Sequence, residues 1–152
     1  MNLELKRATI DDIDEIIKMQ KESFRALFEK YNDGDLNPYN ESFEKVKYKI
    51  ENYFYYFILI DGEKVGAIAI NDKKDGTKKK IAPIYILPRF QNKGYGQLAI
   101  KEVEKIHGED NWKLDTILEE KGNCHLYEKF GYKQTGQFEK ISDIQTIVFY
   151  EK

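Results

Sequence analysis

The sequence predicts an α/β domain, and three stretches carry the prediction. Tyr53 to Ile60, YFYYFILI, is an unbroken apolar and aromatic run of strand length. Ile13 to Phe28 repeats apolar residues at helical spacing. Ile81 to Leu87 is a β-branched run that passes through Pro88 into a glycine turn, after which the spacing becomes helical from Gln97.

From the start of the chain, Leu3-Glu4-Leu5-Lys6-Arg7 alternates as a strand does. Thr9 followed by Asp12 has capping-box spacing and predicts a helix start near Ile10. That helix carries Ile13, Ile16, Ile17, Phe24, Leu27 and Phe28 on one face. Asp33-Gly34-Asp35 and Asn37-Pro38 interrupt the period as turn sequences do. A second helix is expected after Ser42, with Phe43, Val46, Ile50 and Tyr53 on one side.

Tyr53 to Ile60 has no Lys or Arg between its aromatics, so it reads as sheet interior and not as a base-stacking platform. Asp61-Gly62 is a hairpin signal, and Val65 to Ile70 returns. The small residues of that strand imply close approach by a neighbour. Lys73-Lys74 and Lys78-Lys79-Lys80, around Asp75-Gly76, read as a solvated hairpin tip.

Proline removes a ladder hydrogen bond, so Pro83 inside Ile81 to Leu87 predicts a bulge or a break in pairing. The next helix is expected to stop at Gly108, with His107 as a favourable end charge. Trp112 to Leu118 follows as a strand, then a short helix with Asn123 as N-cap that ends at Gly131. Tyr132 to Phe138 and Ile144 to Tyr150 close the sheet as a hairpin around Ser142-Asp143.

The informative junction is Gln91-Asn92-Lys93-Gly94-Tyr95-Gly96, between strand and helix. The first amides of a helix lack partners within it and point outward, where the helix dipole adds positive charge. Glycines allow that backbone close to a phosphate. Neither G-x-G-x-x-G after a strand nor G-x-x-x-x-G-K-[ST] is present, so dinucleotide and nucleoside-triphosphate fingerprints are missing.

Strand, Pro88, Phe90 and then Gln91-x-x-Gly94-x-Gly96 resembles the [RQ]-x-x-G-x-[GA] pyrophosphate motif of the GNAT superfamily of acetyl-CoA-dependent N-acetyltransferases. Asn123-Cys124-His125-Leu126-Tyr127-Glu128-Lys129-Phe130-Gly131-Tyr132 resembles the L-Y-E-K-x-G-[FY] segment that closes the cofactor site of that family. It lies one helix and one strand downstream, so the resemblance spans nearly the whole chain, read as one domain over residues 1–152.

The resemblance implies a mixed, mostly antiparallel seven-stranded sheet with helices on both faces and a splayed central strand pair. Acetyl-CoA would be the donor. The amides of Asn92, Lys93, Gly94, Tyr95, Gly96 and Gln97, with Gln91, would hold its diphosphate, and Lys93 and Lys129 would help neutralise it. Backbone groups at Ile86 and Leu87 would pair with the pantetheine arm as with a missing strand, one amide stabilising the developing oxyanion. Many members place an Asn that touches pantetheine seven residues before the tyrosine. Glu120 stands there in this chain, and Asn123 lies only four before Tyr127.

The family chemistry moves acetyl to a primary amine, on a small molecule such as a metabolite, polyamine or antibiotic or on a peptide, by direct attack in a ternary complex, which leaves no covalent role for Cys124. Deprotonating an amine of pKa about 10.4 at neutral pH costs on the order of 4–5 kcal/mol. A thiolate of pKa about 8.5 leaves, and a tyrosine of pKa about 10 would protonate it uphill by roughly 2 kcal/mol. Tyr127 is therefore the expected general acid, or a hydrogen-bond donor to the sulfur; the alternative is a tyrosine packed on the sheet. Asp115, Glu119, Glu120 and His125 are candidates for the base. The early helix–loop–helix would cover the acceptor, where Asp33, Asp35, Glu41 or Glu44 either holds a cationic amine or is simply solvated. A non-catalytic CoA-binding or sensing domain is the rival reading.

Composition excludes more than it assigns. Over 152 residues, 25 Lys and Arg stand against 27 Asp and Glu, for a net charge of −2, so the chain lacks the basic field of a nucleic-acid binder. One cysteine and two histidines make a disulfide or a His-rich metal site unexpected. No apolar run reaches spanning length and no secretory signal is evident, so a cytoplasmic protein with no membrane partner is expected, with an edge-strand homodimer as an open option.

Overall fold

The capping pair at the head of the chain forms as its spacing predicts. After β1 (Leu3–Arg7), the Asp12 carboxylate accepts the Thr9 N–H at 2.8 Å. Ile10–Asp12 is a single 3₁₀ turn, so α1 (Ile13–Tyr31) begins three residues beyond the expected start. α1 buries Ile13, Ile16, Met19 and Gln20 and stops at Asn32, which takes a left-handed conformation. Ser42 Oγ accepts the Lys45 N–H at 3.2 Å and caps α2 (Phe43–Asn52). Val46 and Ile50 are buried there, whereas Phe43, in the first turn, overhangs the packed face and is 47% exposed. These coordinates belong to a computed structural model that describes residues 1–152.

β2 (Phe54–Ile60) and β3 (Glu63–Asn71) join through Asp61 and Gly62, both at positive φ, the two-residue turn that matches strand twist. There follow β4 (Lys79–Ile86), α3 (Tyr95–His107), β5 (Trp112–Ile117), α4 (Lys121–Lys129), β6 (Lys133–Ser142) and β7 (Gln145–Glu151). The seven strands form one sheet in the order β1-β2-β3-β4-β5-β7-β6, with β4 and β5 its single parallel pair.

Each face of the sheet has its own core. On one, α1 and α2 pack over Phe57, Ala67, Ala69, Tyr85 and Leu87. On the other, α3 (Ala99, Ile100, Val103) and α4 (Cys124, Tyr127) pack over Ile68, Ile70, Leu114, Val148 and Tyr150. The alanines of β3 lie under the α1–α2 layer, and a Cβ on Gly66 would come 2.1 Å from the Tyr85 carbonyl oxygen. That is the close approach the small residues predicted.

Two expectations for the β3–β4 hairpin and its surroundings need correction. The lysines near its tip are not simply solvated: Lys79 Nζ donates to Asp110 O at 2.8 Å, and Lys80 pairs with Asp115. His107 is not an exposed end charge either. Its side chain is almost fully enclosed, with Nδ1 2.8 Å from Asp72 Oδ2 and Nε2 2.9 Å from the Tyr56 hydroxyl. Burial lowers its pKa despite the opposing pull of Asp72, because desolvation penalises the imidazolium.

Candidate active site

The site follows from a failure of pairing. Between β3 and β4 the register shifts across Ile68 and Ile70, because β4 carries one extra residue where Pro83 stands. Just before it, β4 leaves β5. Only Lys79 with Trp112 and Lys80 with Lys113 pair before the two strands part. A cavity of about 610 Å³ fills the opening, lined by Ile81 to Ile84 on one side and Leu114 to Ile117 on the other.

This cavity passes through the sheet. Asn123 and Tyr127 line it from the α3–α4 face, while Asp33, Asp35, Glu41 and Gln145 line it from the α1–α2 face. Strand alternation explains the second set: Val148 and Tyr150 enter the α3–α4 core, so Gln145 and Ile147 point to the opposite face.

At the strand-to-helix junction, no acceptor within the chain engages the N–H groups of Asn92, Lys93, Gly94, Tyr95, Gly96 or Gln97. The first paired amide is that of Leu98, on Gly94 O at 3.1 Å. Asn92 and Gly94 both have positive φ, which turns successive amides outward. A Cβ on Gly96 would meet nothing of the protein closer than Leu126 Cδ2 at 3.9 Å. Its lack of a side chain is thus not required by internal packing. Open amides, helix N-terminus and free space suit a diphosphate.

The Gln91 side chain is occupied differently: Nε2 donates to Ile86 O at 2.9 Å and braces the turn on the strand end. Lys129 lies beside the helix start, its Nζ 3.2 Å from Gln97 Oε1, while Lys93 is an exposed residue of the turn itself. Of the two strand-end residues expected to face the arm, Leu87 does not: its N–H donates to Val65 O on β3 at 2.8 Å. By alternation, the backbone groups of Ile84 and Ile86 point the other way, into the opening. The Asn123 expectation also changes. Glu120 is the cap position and Asn123 lies inside α4, one turn before Tyr127 on the same side.

Tyr127 is 7% exposed, and its ring meets Tyr132 edge-on at 5.9 Å between centroids. Burial pushes its pKa well up, with the nearby Asp115 and Cys124 adding to the effect. The hydroxyl therefore stays protonated, but it is a weaker acid than the sequence argument assumed. A hydroxyl in this state suits hydrogen-bond donation better than proton release.

Of the four candidate bases, Asp115 alone lines the cavity, 3.1 Å from Lys80 Nζ. Glu119 accepts the Thr146 N–H at 2.8 Å. Glu120 is held by Lys30 at 2.8 Å and by the Tyr31 hydroxyl; burial raises its pKa, but these bonds outweigh that and leave it lowered. His125 is exposed on α4. Among the acceptor-side carboxylates, Glu41 is nearly enclosed and paired with Lys49 at 2.8 Å, and Glu44 lies on the exposed side of α2. The sequence reading missed Gln145, Lys45 and Lys49. Gln145 was recoverable, as a polar residue at an inward position of an otherwise apolar strand.

A family model described as "Acetyltransferase (GNAT) family" matches residues 14–132. The chain belongs to the GNAT acetyltransferases, whose acetyl donor is acetyl-CoA. Solved structures agree on the fold. The PaiA N-acetyltransferase of Thermoplasma acidophilum, in complex with coenzyme A, matches with a TM-score of 0.73 at 19% identity over 100% of both chains. Spermidine N-acetyltransferase of Vibrio cholerae, with CoA and spermine, gives 0.75 at 18% identity over 97% of this chain and 93% of that one. A GNAT acetyltransferase of Elizabethkingia anophelis with acetyl-CoA bound gives 0.58 at 19% identity, over 72% and 81%. No curated protein matches the chain. No helix is long and apolar enough to cross a membrane.

Proposed function

We propose that this acetyltransferase acts on a primary amine that enters from the α1–α2 face while acetyl-CoA lies along β4, the two meeting in one ternary complex. The observation that carries this reading is the through-sheet cavity, with Tyr127 on one wall and carboxylates on the other. Bound acetyl-CoA supplies a thioester, whose C–S bond is exchanged for the C–N bond of the product amide. The amides from Asn92 to Gln97 hold the diphosphate, and the free N–H groups of Ile84 and Ile86 fix the arm and polarise the thioester carbonyl.

Tyr127 donates a hydrogen bond to the departing sulfur, from the face opposite the acceptor. Asp115, beside the point where the strands part, accepts the amine proton, directly or through water. The lone cysteine is buried and unpaired, which suits a reducing, cytoplasmic setting. The test is thiol release from acetyl-CoA across a panel of primary amines. Amine-dependent release supports the reading; tight CoA binding with no release on any amine favours the non-catalytic alternative.

A further inference from the structure

The α1–α2 side of the cavity holds an acceptor group that nothing in the protein satisfies. Gln145 is 1% exposed, and its Nε2 donates to Asp33 Oδ2 at 2.9 Å. Its Oε1 is buried without any donor, on a residue that lines the cavity. Exchanging the two amide atoms would set oxygen against the Asp33 carboxylate, so the orientation is fixed by charge. A buried orphan acceptor is costly and calls for an N–H from outside.

The charges around it are uneven. Glu41 is paired with Lys49, and Asp115 with Lys80. Asp33 has only the neutral amides of Gln145 and Asn37 (Nδ2 at 3.2 Å) as partners, and Asp35, exposed at the mouth, has no cationic partner. Lys45, also at the mouth, is the cavity's unpaired cation and is exposed. The inner end therefore combines an uncompensated carboxylate with an unfilled amide oxygen. An ammonium, with three N–H donors, satisfies both.

We infer that Asp33 and Gln145 Oε1 form a subsite for a second, non-reacting ammonium, so that the preferred acceptors are diamines or longer polyamines. The inference rests on the proposed amine acetylation, yet it is a claim about binding and can be read without turnover. Two measurements test it together: acetylation of straight-chain α,ω-diamines against n-alkylamines of equal length, and calorimetric titration of the same amines into CoA-loaded protein.

The expected result is at least a tenfold preference for diamines in kcat/KM, carried by KM. Asp33→Asn should shrink that ratio to within threefold, and Asp33→Glu should restore part of it. Gln145→Met should weaken diamine binding severalfold. If Asp33→Asn does not fold, Asp35→Asn at the exposed mouth is read instead, with a smaller loss in the same direction. Equal use and equal binding of both amine types would overturn the subsite and leave the acetylation reading standing. Diamine heat that Asp33→Asn removes, with no acetylation of any amine, would uphold the subsite and overturn that reading.

Discussion

Lys80 Nζ lies 3.1 Å from Asp115 Oδ2, and this contact spans the point where the sheet opens. Lys80 is the last residue of β4 to pair with β5, and Asp115 is two residues past the last pairing on the other strand. The ion pair stands at the closed end of the cleft. Both side chains keep over a third of their surface in water, which screens the attraction and limits its worth. Lys80→Met should therefore cost less than about 1 kcal/mol in urea unfolding, and the cost should shrink further at high salt. A much larger, salt-insensitive loss would mean that the contact is effectively desolvated.

Gly94 and Gly96 should respond differently to alanine. Gly94 has φ +82, where a side chain is strained, so Gly94→Ala should lower stability by about 1 kcal/mol as well as CoA affinity. Gly96→Ala has room within the protein and should change unfolding by no more than roughly 0.5 kcal/mol. Its loss should appear in CoA binding alone. Paired calorimetry and urea titration check this; normal CoA affinity in Gly96→Ala would mean that the diphosphate lies elsewhere.

Tyr127→Phe removes a hydroxyl with no partner in the chain and leaves the ring packing intact. Stability and CoA affinity should be unchanged, while kcat should fall on the order of 10²-fold. Steady-state rates against a fixed amine decide it, and an unaltered kcat would remove Tyr127 from the reaction.

His107 should give the fold a pH dependence. Burial lowers its pKa in the native protein, so the unfolded chain takes up a proton first as the medium is acidified. The stability tied to the neutral ring is whole above about pH 6.5 and is lost as pH falls from there towards the lowered native value. Asp72 acts at lower pH. Its burial opposes ionisation, but the hydrogen bonds from His107 and the Lys74 N–H, with the nearby positive charges, together outweigh this, so its contribution goes only below the ordinary carboxylate range. Urea midpoints between pH 5 and pH 8 should decline on the acid side, and His107→Gln should flatten the decline.

Gly66→Ala should be among the most damaging single changes. The added methyl would fall 2.1 Å from a backbone carbonyl, which cannot swing aside as a side chain can. A loss of about 3 kcal/mol is expected, measured by urea unfolding.

Much of this was legible because local rules and the fold agree. Thr9 and Asp12, Ser42, Asp61-Gly62, Pro83 and Gly108 each act where their chemistry is strongest, and they set most of the element boundaries. The glycine turn was readable for the same reason. What escaped were properties set by distant partners. Leu87 sends its amide to Val65 and not into the cleft, a question of strand phase that a one-residue bulge decides. The His107 pKa is lowered because Tyr56 and Trp112, from other elements, help to bury it, against the pull of Asp72. Gln145 meets Asp33 across 112 residues of sequence, and no local period announces such a pair.

The two short rungs between Lys79–Lys80 and Trp112–Lys113 have a mechanical meaning. The sheet is two panels stitched at one corner, with the tail of α1 and the turn after it strapped over the gap, Lys30 and Tyr31 to Glu120 and Asp33 to Gln145. A molecule lodged in the gap supplies the rungs that the backbone omits. Occupancy should then register as rigidity: slower amide exchange along β4 and β5, and about 2.7 kcal/mol of added stability at a hundredfold excess of CoA over its Kd. The enzyme would be at its stiffest when loaded and loosest between turnovers.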